Sequence, residues 1–301
     1  MRLQFLRDIG AACCVCAGAS ASVAVAAPLP PSPDLAVRLR SPFATRVIDY
    51  SPADGQFVND PRFNDPTRAL GAPNGGGTIS PDNSKLVTLG GFGGSITLGF
   101  ARPIRDEPNH PLGLDFIVFG NASWVAGLAS IRWAEAAIIE ISRDVNHNGL
   151  ADDAWYVIPG SHLNDVQGQR RRGFFILPDD PFAAPPIFNT NTDGSEAYWG
   201  YGDMNPVLIL GDLDGDNVVD DPLQSPEAFY TVPDDPQAEG VSPGSGGGDG
   251  FDIAWAVDEV TGQPAHLGGF DFIRITTAVD ADNGPFGEVS AEIGGVAAVR
   301  W

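Results

Sequence analysis

The chain has 301 residues, of which 43% are hydrophobic, and this apolar content is enough to form a full core, which excludes a disordered chain. It carries 39 acidic residues against 17 lysines and arginines, and the formal net charge of −22 disfavours nucleic acid as a partner. Glycine and proline, at 37 and 26 residues, predict many turns.

The first 26 residues have the pattern of a secretory signal peptide. Arg2 and Arg7 precede a run of small apolar residues, which ends in Ala24, Val25 and Ala26. We therefore expect residues 1–26 to be removed and the protein to be secreted or held at the cell surface. All three cysteines lie in this segment, so acylation at Cys13 is the alternative to cleavage near Ala26. Beyond this segment, no apolar run approaches the roughly 20 residues that a membrane span needs.

A Pro-rich linker at residues 27–42 is followed by a region in which we expect a single β-sandwich domain, residues 43–301. Short apolar segments alternate there with Gly, Pro, Asn and Asp turns: "LVTLGG", "GSITLGF", "LDFIVFGN", "AAIIEIS", "AWYVIPG", "VLILGD", "FDIAWAV" and "FDFIRITTAV". This spacing predicts an all-β, antiparallel sandwich. Residues 162–247, rich in Pro, Asp and Gly, predict a long loop-rich insertion into it.

Four of these blocks, in chain order, carry a resemblance to a known family. They are "LVTLGGFGGSITLGFARPI", "LDFIVFGN", "AAIIEISRD…AWYVIPGS" and "GGGDGFDIAWAV…GFDFIRITTAV". The chain resembles secreted bacterial cell-surface proteins related to the galactose-binding-like, discoidin-type jelly rolls. The resemblance implies a jelly roll whose loops at one end bind ligands. In simpler members a short hairpin follows the strand that corresponds to "AAIIEIS", whereas here residues 143–154 form a longer acidic loop.

Two loops, "DVNHNGLADD" and "DLDGDNVVDD", repeat the side-chain pattern of a calcium-binding loop. Ca²⁺ prefers six to eight oxygen ligands, and such loops supply side chains at positions 1, 3, 5 and 9 and a carbonyl at position 7. Gly149 and Asn217 stand at position 6, where the chain turns sharply. The predicted ligands are Asp144, Asn146, Asn148, Asp152 and the Leu150 carbonyl in the first loop, and Asp212, Asp214, Asp216, Asp220 and the Val218 carbonyl in the second.

Both loops differ from an EF-hand in the residue that closes the coordination shell. Trp155 and Leu223 occupy position 12, where an EF-hand has an acidic residue. Asp153 and Asp221 at position 10, or a remote carboxylate, can take that role. The alternative interpretation is a pair of solvated Asp/Asn turns, which explains the composition but not the repeated alternation.

Aromatic residues in loops are the candidates for binding a sugar or another flat extracellular ligand, since they stack on such rings. These candidates are Trp124, Tyr198, Trp199 and Tyr201. Alternatively, the aromatic cluster packs the insertion against the domain. Trp133, Trp155 and Trp255, in or beside predicted strands, are expected in the core.

The sequence gives little support for catalysis. The four histidines do not stand at metal-ligand spacing, and no nucleophile has an evident base. Glu288 and Glu292 are a candidate pair of carboxylates for acid/base work. The alternative is that they are two polar positions near a terminal strand, or that one of them is the missing calcium ligand. We therefore expect a calcium-binding, non-catalytic module for carbohydrate or another extracellular ligand. The alternatives are a structural or adhesive envelope component and a hydrolase, and the oligomeric state is left open.

Overall fold

The computed structural model describes residues 41–158, 174–176, 188–190, 196–198, 202–235, 240–278, 280 and 288–300. Only the backbone is described for residues 130, 131 and the three short stretches between 174 and 198. Tyr198 therefore has a described backbone only, and Trp199 and Tyr201 lie outside the described residues.

The described residues form mainly short strands. These are β1 Arg46–Ser51, β2 Val87–Thr88, β3 Ser95–Arg105, β4 Phe116–Phe119, β5 Ser123–Val125, β6 Leu128–Trp133, β7 Ala137–Ser142, β8 Trp155–Ile158, β9 Phe174–Ile176, β10 Phe188–Thr190, β11 Glu196–Tyr198, β12 Asp249–Phe251, β13 Gly269–Thr277, β14 Glu292–Ile293 and β15 Gly295–Ala298. One α-helical turn, Pro226–Phe229, and 3-10 turns at Pro66–Ala69, Asn83–Lys85, Pro111–Gly113 and Ile253–Trp255 complete these elements. Among the described residues, every strand pair is antiparallel, which confirms the predicted all-β sandwich class.

A search of the described helices finds none with the length and apolar character needed to cross a membrane.

The larger sheet has the order β1-β3-β13-β7-β8, and alternate residues of its strands form the core. Ile273 pairs with Leu98 on one side and Ile141 on the other, and all three side chains are fully buried. Arg274, the next residue, points to the opposite face and forms an ion pair with Glu140 of β7 at 2.5 Å. This alternation is the period of two expected of a strand with one buried face.

The second layer is the sheet β12-β4-β15, and its central strand β4 is buried on both faces. Phe116 and Val118 belong to the core shared with the larger sheet. Ile117 and Phe119 instead join a second apolar cluster that includes Tyr230, whose hydroxyl donates to the Leu208 carbonyl at 3.0 Å. Residues 202–235, part of the predicted insertion, therefore cover the outer face of this sheet.

Strand pairing brings two chain connections and strand β14 to one end of the sandwich. The last residue of β4 pairs with the first of β15, and the first residue of β7 pairs with the last of β13. The β4–β5 connection, the β6–β7 connection and β14 consequently lie near one another, and they contribute Asn121, Glu135 and Glu292. The β7–β8 connection, which is the first acidic loop, lies at the other end of the larger sheet.

Candidate metal sites and a carboxylate-lined cleft

The first acidic loop joins β7 to β8 and folds around its own side-chain oxygens. The two carboxylate oxygens of Asp144 accept the backbone N–H groups of Asn148 at 3.0 Å and Gly149 at 2.8 Å. Asn146 Oδ1 accepts from Asn148 N at 2.9 Å, and Asn148 Oδ1 accepts from Leu150 N at 2.7 Å. Side chains of alternate residues are thus directed to the inside of the loop.

The second acidic loop repeats this arrangement in residues 212–221. Asp212 Oδ2 accepts from Asn217 N at 3.1 Å, Asp214 Oδ1 accepts from Asp216 N at 3.2 Å, and Asp216 Oδ1 accepts from Val218 N at 2.8 Å. One carboxylate oxygen from each of the three aspartates lies within 4.8 Å of the others. Such spacing suits oxygens that surround a single cation.

The two loops also share their backbone conformation. Positive φ occurs at the fourth position, His147 (58°) and Gly215 (78°), and again at the sixth, Gly149 (77°) and Asn217 (70°). The sharp turn predicted at position 6 is therefore present in both loops. His147, at the fourth position of the first loop, is exposed.

The acidic residues at positions 9 and 10 close each loop through hydrogen bonds. Asp152 accepts from Asn148 Nδ2 at 3.0 Å. Asp153 and Asp220 each accept the backbone N–H of the residue at position 2, at 3.1 and 2.8 Å. Asp221 accepts the N–H of the residue two positions later, at 2.9 Å. The potential metal ligands of each loop are all oxygen atoms, which fits a hard divalent cation.

The residues at positions 7 and 12 contribute no side-chain ligand. Leu150 and Val218 at position 7 are 58% and 60% exposed. Their aliphatic side chains contain no ligand atom, so only the backbone carbonyl of this position can bind a cation. Trp155 packs under the guanidinium of Arg274, 4.5 Å from its ring centre, and Leu223 is 90% exposed.

A third group of carboxyls is buried at the end of the sandwich where the β6–β7 connection and β14 lie, and the sequence-based predictions did not include this group. Glu135, Asp203 and Glu292 are at most 3% exposed, and one oxygen from each lies within 4.8 Å of the others. This buried carboxylate cluster can hold a metal ion. Its members come from the β6–β7 connection, the insertion and β14, so their distance along the chain hides the cluster in the sequence.

The carboxyl of Asp203 accepts hydrogen bonds from the backbone that follows β4. Its Oδ1 accepts from Asn121 N at 2.6 Å and Ala122 N at 3.0 Å, and its Oδ2 accepts from Glu292 N at 3.2 Å. A Cβ on Gly120 would lie 2.1 Å from Asp203 Oδ1, so this close approach requires glycine. Burial, reinforced by the charge of Glu135, raises the pKa of Asp203 well above 3.8.

Glu292 and Glu135 form a carboxyl pair. Burial, the charge of Glu135 and a hydrogen bond between the two side chains raise the pKa of Glu292 well above 4.5. Glu135 Oε1 accepts from Gln56 Nε2 at 3.2 Å. The side-chain amide of Asn121 places one polar atom 3.3 Å from Glu292 Oε2 and the other 3.2 Å from Asp203 Oδ2. The pair therefore retains a proton at pH values where exposed carboxyls have lost theirs.

An open cleft of about 390 Å³ leads to this pair. It is lined by Gln56, Phe57, Pro81, Asn83, Asn121, Ser123, Trp133, Glu135 and Glu292. The prediction that Trp133 is a core residue is wrong, because it ends strand β6, pairs with Ser123 of β5 and is only partly buried. The side chain of Trp133 is among those that line the cleft.

Of the predicted residues whose side chains are described, Glu292 lines this cleft and Trp124 and Glu288 do not. Trp124 is half-buried in β5, beside Gly240, and is not part of the cleft lining. Glu288 is exposed, and the carboxyl that pairs with Glu292 is Glu135. The burial of Glu135 could have been predicted from the sequence, because "RWAEAAII" places a lone acidic residue in an apolar segment.

Comparison with models of known protein families gives no match, and comparison with curated protein sequences gives none either. The fold and the carboxylate cluster define an all-β protein with antiparallel sheets that can hold a metal ion. The resemblance to the discoidin-type surface proteins stays a prediction.

Proposed function

We propose that this protein is a secreted or cell-surface, calcium-binding β-sandwich that serves as a non-catalytic binding module for carbohydrate or another extracellular ligand. The observation that carries the calcium assignment is that two loops distant in the chain share positive-φ turns at the same positions and the same inward side-chain oxygens. Both turn at positions 4 and 6 and direct oxygens at positions 1, 3 and 5 inward.

The donor chemistry favours calcium over other cations. Carboxylates, amide oxygens and a carbonyl are hard ligands, and flexible loops suit the variable coordination of Ca²⁺ better than the strict octahedron of Mg²⁺. The sequence also explains why an ion is needed, because Asp212, Asp214 and Asp216 repel one another in a chain of net charge −22. A bound divalent cation reverses this local repulsion.

The proposed role of calcium is structural support of the binding module. At a free concentration about 100 times the dissociation constant, one ion adds roughly 2.7 kcal/mol to the free energy of unfolding. This is a sizeable part of the ~5–15 kcal/mol typical of a domain.

The test is calcium titration by isothermal calorimetry, with thermal unfolding in calcium and in excess chelator. We expect one calcium site in each loop, a melting temperature several degrees lower in chelator, and loss of the corresponding loop site in Asp144→Asn and in Asp212→Asn. Glu107→Gln, an exposed change outside both loops, is the control and retains both sites. A melting temperature that is the same with calcium and chelator contradicts the proposal.

A structural or adhesive role without a small ligand is the second candidate. The observation in its favour is that Asn217 of the second loop binds residue 78. An ion in that loop would therefore hold two distant chain segments together. A broad ligand screen separates the candidates: saturable binding of a small ligand supports the module, and its absence with intact calcium binding supports the structural role.

A further inference from the structure

Phe57 carries an exposed aromatic ring on a strained backbone beside the cleft. It has φ of 58°, is 42% exposed and is one of the residues that line the cleft. Among the described residues, no other phenylalanine, tyrosine or tryptophan has a positive φ. This backbone region is unfavourable for a bulky side chain, and strained residues are concentrated at ligand sites. Because much of the side chain stays in solvent, its burial does not offset the strain.

Contacts of the preceding residue and of the ring itself hold Phe57 in this conformation. Gln56 is buried, its Nε2 donates to the Glu288 carbonyl at 2.7 Å, and its carbonyl accepts from the Thr88 hydroxyl at 2.8 Å. The ring centre of Phe63 lies 5.1 Å from that of Phe57. The aromatic ring is therefore positioned by the protein, so a ligand that stacks on it does not have to order it first.

Two neutral polar side chains that line the same cleft are available to a ligand. Asn83 begins the 3-10 turn Asn83–Lys85, and Ser123 begins β5. In the part of the chain that the structure describes, neither the Asn83 amide nor the Ser123 hydroxyl forms a hydrogen bond with another residue. Each can donate and accept, so both can bind hydroxyl groups of a ligand without giving up a protein contact.

An aromatic ring beside a free amide and a free hydroxyl suits a ligand that has both apolar and polar surface. A pyranose ring presents C–H groups on its face and hydroxyls at its edge, and the C–H face packs on aromatic rings. The cleft volume of about 390 Å³ lies within the roughly 300–1,000 Å³ of ligand pockets, so one such ring fits. A purely apolar ligand would displace water from Asn83 and Ser123 without replacing the lost hydrogen bonds.

The charge of the chain favours a neutral sugar over an acidic one. The formal net charge is −22, and the resulting negative potential lowers the local concentration of anions. The side chains of Asn83 and Ser123 are neutral, so neither offsets the repulsion of a carboxylate. An acidic sugar of the same stereochemistry is therefore disfavoured.

We propose that this cleft binds one neutral pyranose ring, with its C–H face on Phe57 and its hydroxyls on Asn83 and Ser123. The inference rests on the proposed function as a binding module and names the site and the ligand class. It requires no ion in the two acidic loops, because their predicted ligands are not among the residues that line the cleft.

The first experiment compares neutral and acidic sugars of similar shape. Methyl glycosides of glucose, galactose, mannose and xylose, together with glucuronate and galacturonate, are titrated into the full chain in calcium by saturation-transfer NMR and calorimetry. We expect saturable binding of at least one neutral glycoside, with an affinity about tenfold or more above that of either acid. Benzyl alcohol, an aromatic ring with a single hydroxyl, is expected to bind more weakly than that glycoside.

Phe57→Asn separates a ligand-binding role of the ring from a packing role. Asparagine tolerates positive φ, so the variant relieves the strain while it removes the ring. We expect glycoside affinity to fall about tenfold or more, whereas the melting temperature does not fall. Phe92 is also 42% exposed but does not line the cleft, so Phe92→Asn is the matched control and leaves binding unchanged.

Asn83→Ala and Ser123→Ala test the two polar groups. Each variant removes one hydrogen bond to the sugar and is expected to weaken binding by roughly threefold to tenfold. Both variants decide the outcome if Phe57→Asn does not fold. Unchanged affinity in both contradicts the proposed contacts.

Four further results overturn the proposal: no neutral glycoside binds, an acid binds as tightly as the best neutral glycoside, benzyl alcohol binds more tightly than that glycoside, or Phe92→Asn weakens binding as much as Phe57→Asn. A melting temperature several degrees lower in Phe57→Asn, with unchanged glycoside affinity, assigns the ring to packing and also overturns it. These failures are distinct from failure of the proposed function. The calcium sites are measured without sugar, and another ligand found in the broad screen would still support a binding module.

Discussion

The side chain of Asn217 binds the backbone N–H and the hydroxyl of Thr78 and so joins the second acidic loop to a distant chain segment. Asn217 Oδ1 accepts from Thr78 N at 2.7 Å and from its hydroxyl at 3.1 Å, and Nδ2 lies 3.0 Å from Thr78 Oγ1. Gly77 allows this approach, because a Cβ there would lie 2.2 Å from Asn217 Oδ1. The Thr78 carbonyl in turn accepts from Trp124 N at 2.6 Å. The loop is thereby connected to β5, whose Ser123 lines the cleft.

Replacing Asn217 by glycine removes the contact with Thr78 but keeps a residue that can adopt the loop conformation. Asn217→Gly keeps a residue that tolerates φ of 70° but leaves the buried Thr78 N–H without its acceptor, so we expect a loss of about 1–3 kcal/mol in unfolding free energy. The measurement is urea denaturation in calcium. His147→Gly, at a positive-φ position of the first loop with an exposed side chain, is the control and retains full stability. Equal stability of the two variants would show that the contact with Thr78 contributes nothing.

Adding a methyl group at Gly149 tests whether the loop turn serves calcium. Gly149 has φ of 77° and no atom within 4 Å of a Cβ, so Gly149→Ala introduces backbone strain of roughly 1–2 kcal/mol without a clash. Gly93 has φ of 82°, equally open surroundings and a position outside both loops, which makes Gly93→Ala a matched control. We expect both variants to lose similar stability in chelator and only Gly149→Ala to bind calcium more weakly in calorimetry. Unchanged calcium affinity in Gly149→Ala argues against an ion in the first loop.

Gly120→Ala tests the close packing of the Asp203 carboxyl against the backbone that follows β4. The new Cβ would lie 2.1 Å from Asp203 Oδ1, and it would displace the carboxyl from the two N–H groups that it binds, so we expect a loss of about 3 kcal/mol or more. Gly268→Ala places its Cβ in open space and is expected to be near neutral. The readout is the urea midpoint of each variant. If Gly120→Ala is as stable as Gly268→Ala, the close packing of Asp203 against β4 is not rigid.

The buried Asp249 predicts that stability falls as pH rises from about 4 to 8. Burial raises its pKa from 3.8 to about 8, so in this interval the folded protein holds a proton that the unfolded chain has released. The folded state then binds more protons than the unfolded state, which lowers the free energy of unfolding by up to about 1.4 kcal/mol per pH unit.

Asp249→Asn is expected to make that slope shallower by up to about 1.4 kcal/mol per pH unit, measured by urea denaturation between pH 5 and 8 in chelator. Asp203 and Glu292, whose pKa values burial also raises, retain part of the slope. Asp258→Asn is the control, because hydrogen bonds from Thr261 lower the pKa of this exposed aspartate and place its titration below the interval. A slope in Asp249→Asn as steep as in the unaltered chain would show that another group is responsible.

The sequence predicted the features that depend on neighbouring residues. Alternation in "AAIIEIS" and "FDFIRITTAV" predicts strands with one buried face, and β7 and β13 form with Ile139 and Ile275 buried. The same local logic predicts the turns at Gly149 and Asn217, since a spacing of one oxygen every second residue constrains the loop within ten residues. Ion binding in these loops stays a prediction.

The cleft and its carboxyls could not be predicted in this way, because they depend on residues far apart in the chain. Glu135 and Glu292 are 157 positions apart by their numbers, and they meet because β7 and β15 begin at the same end of the sandwich. Trp133 was assigned to the core from its strand, yet whether a strand residue is covered depends on a second layer that the strand itself does not specify.

The amino-acid sequence by itself determined the all-β class, the position of the acidic loops and the strongly anionic character of this protein, because each follows from local periodicity, turn chemistry or composition. Only the tertiary structure decided that Glu135, Asp203 and Glu292 share one buried site and that an open cleft leads to it. The physical reason is that burial and mutual repulsion act through space, so they arise only when sheet pairing brings separate connections together.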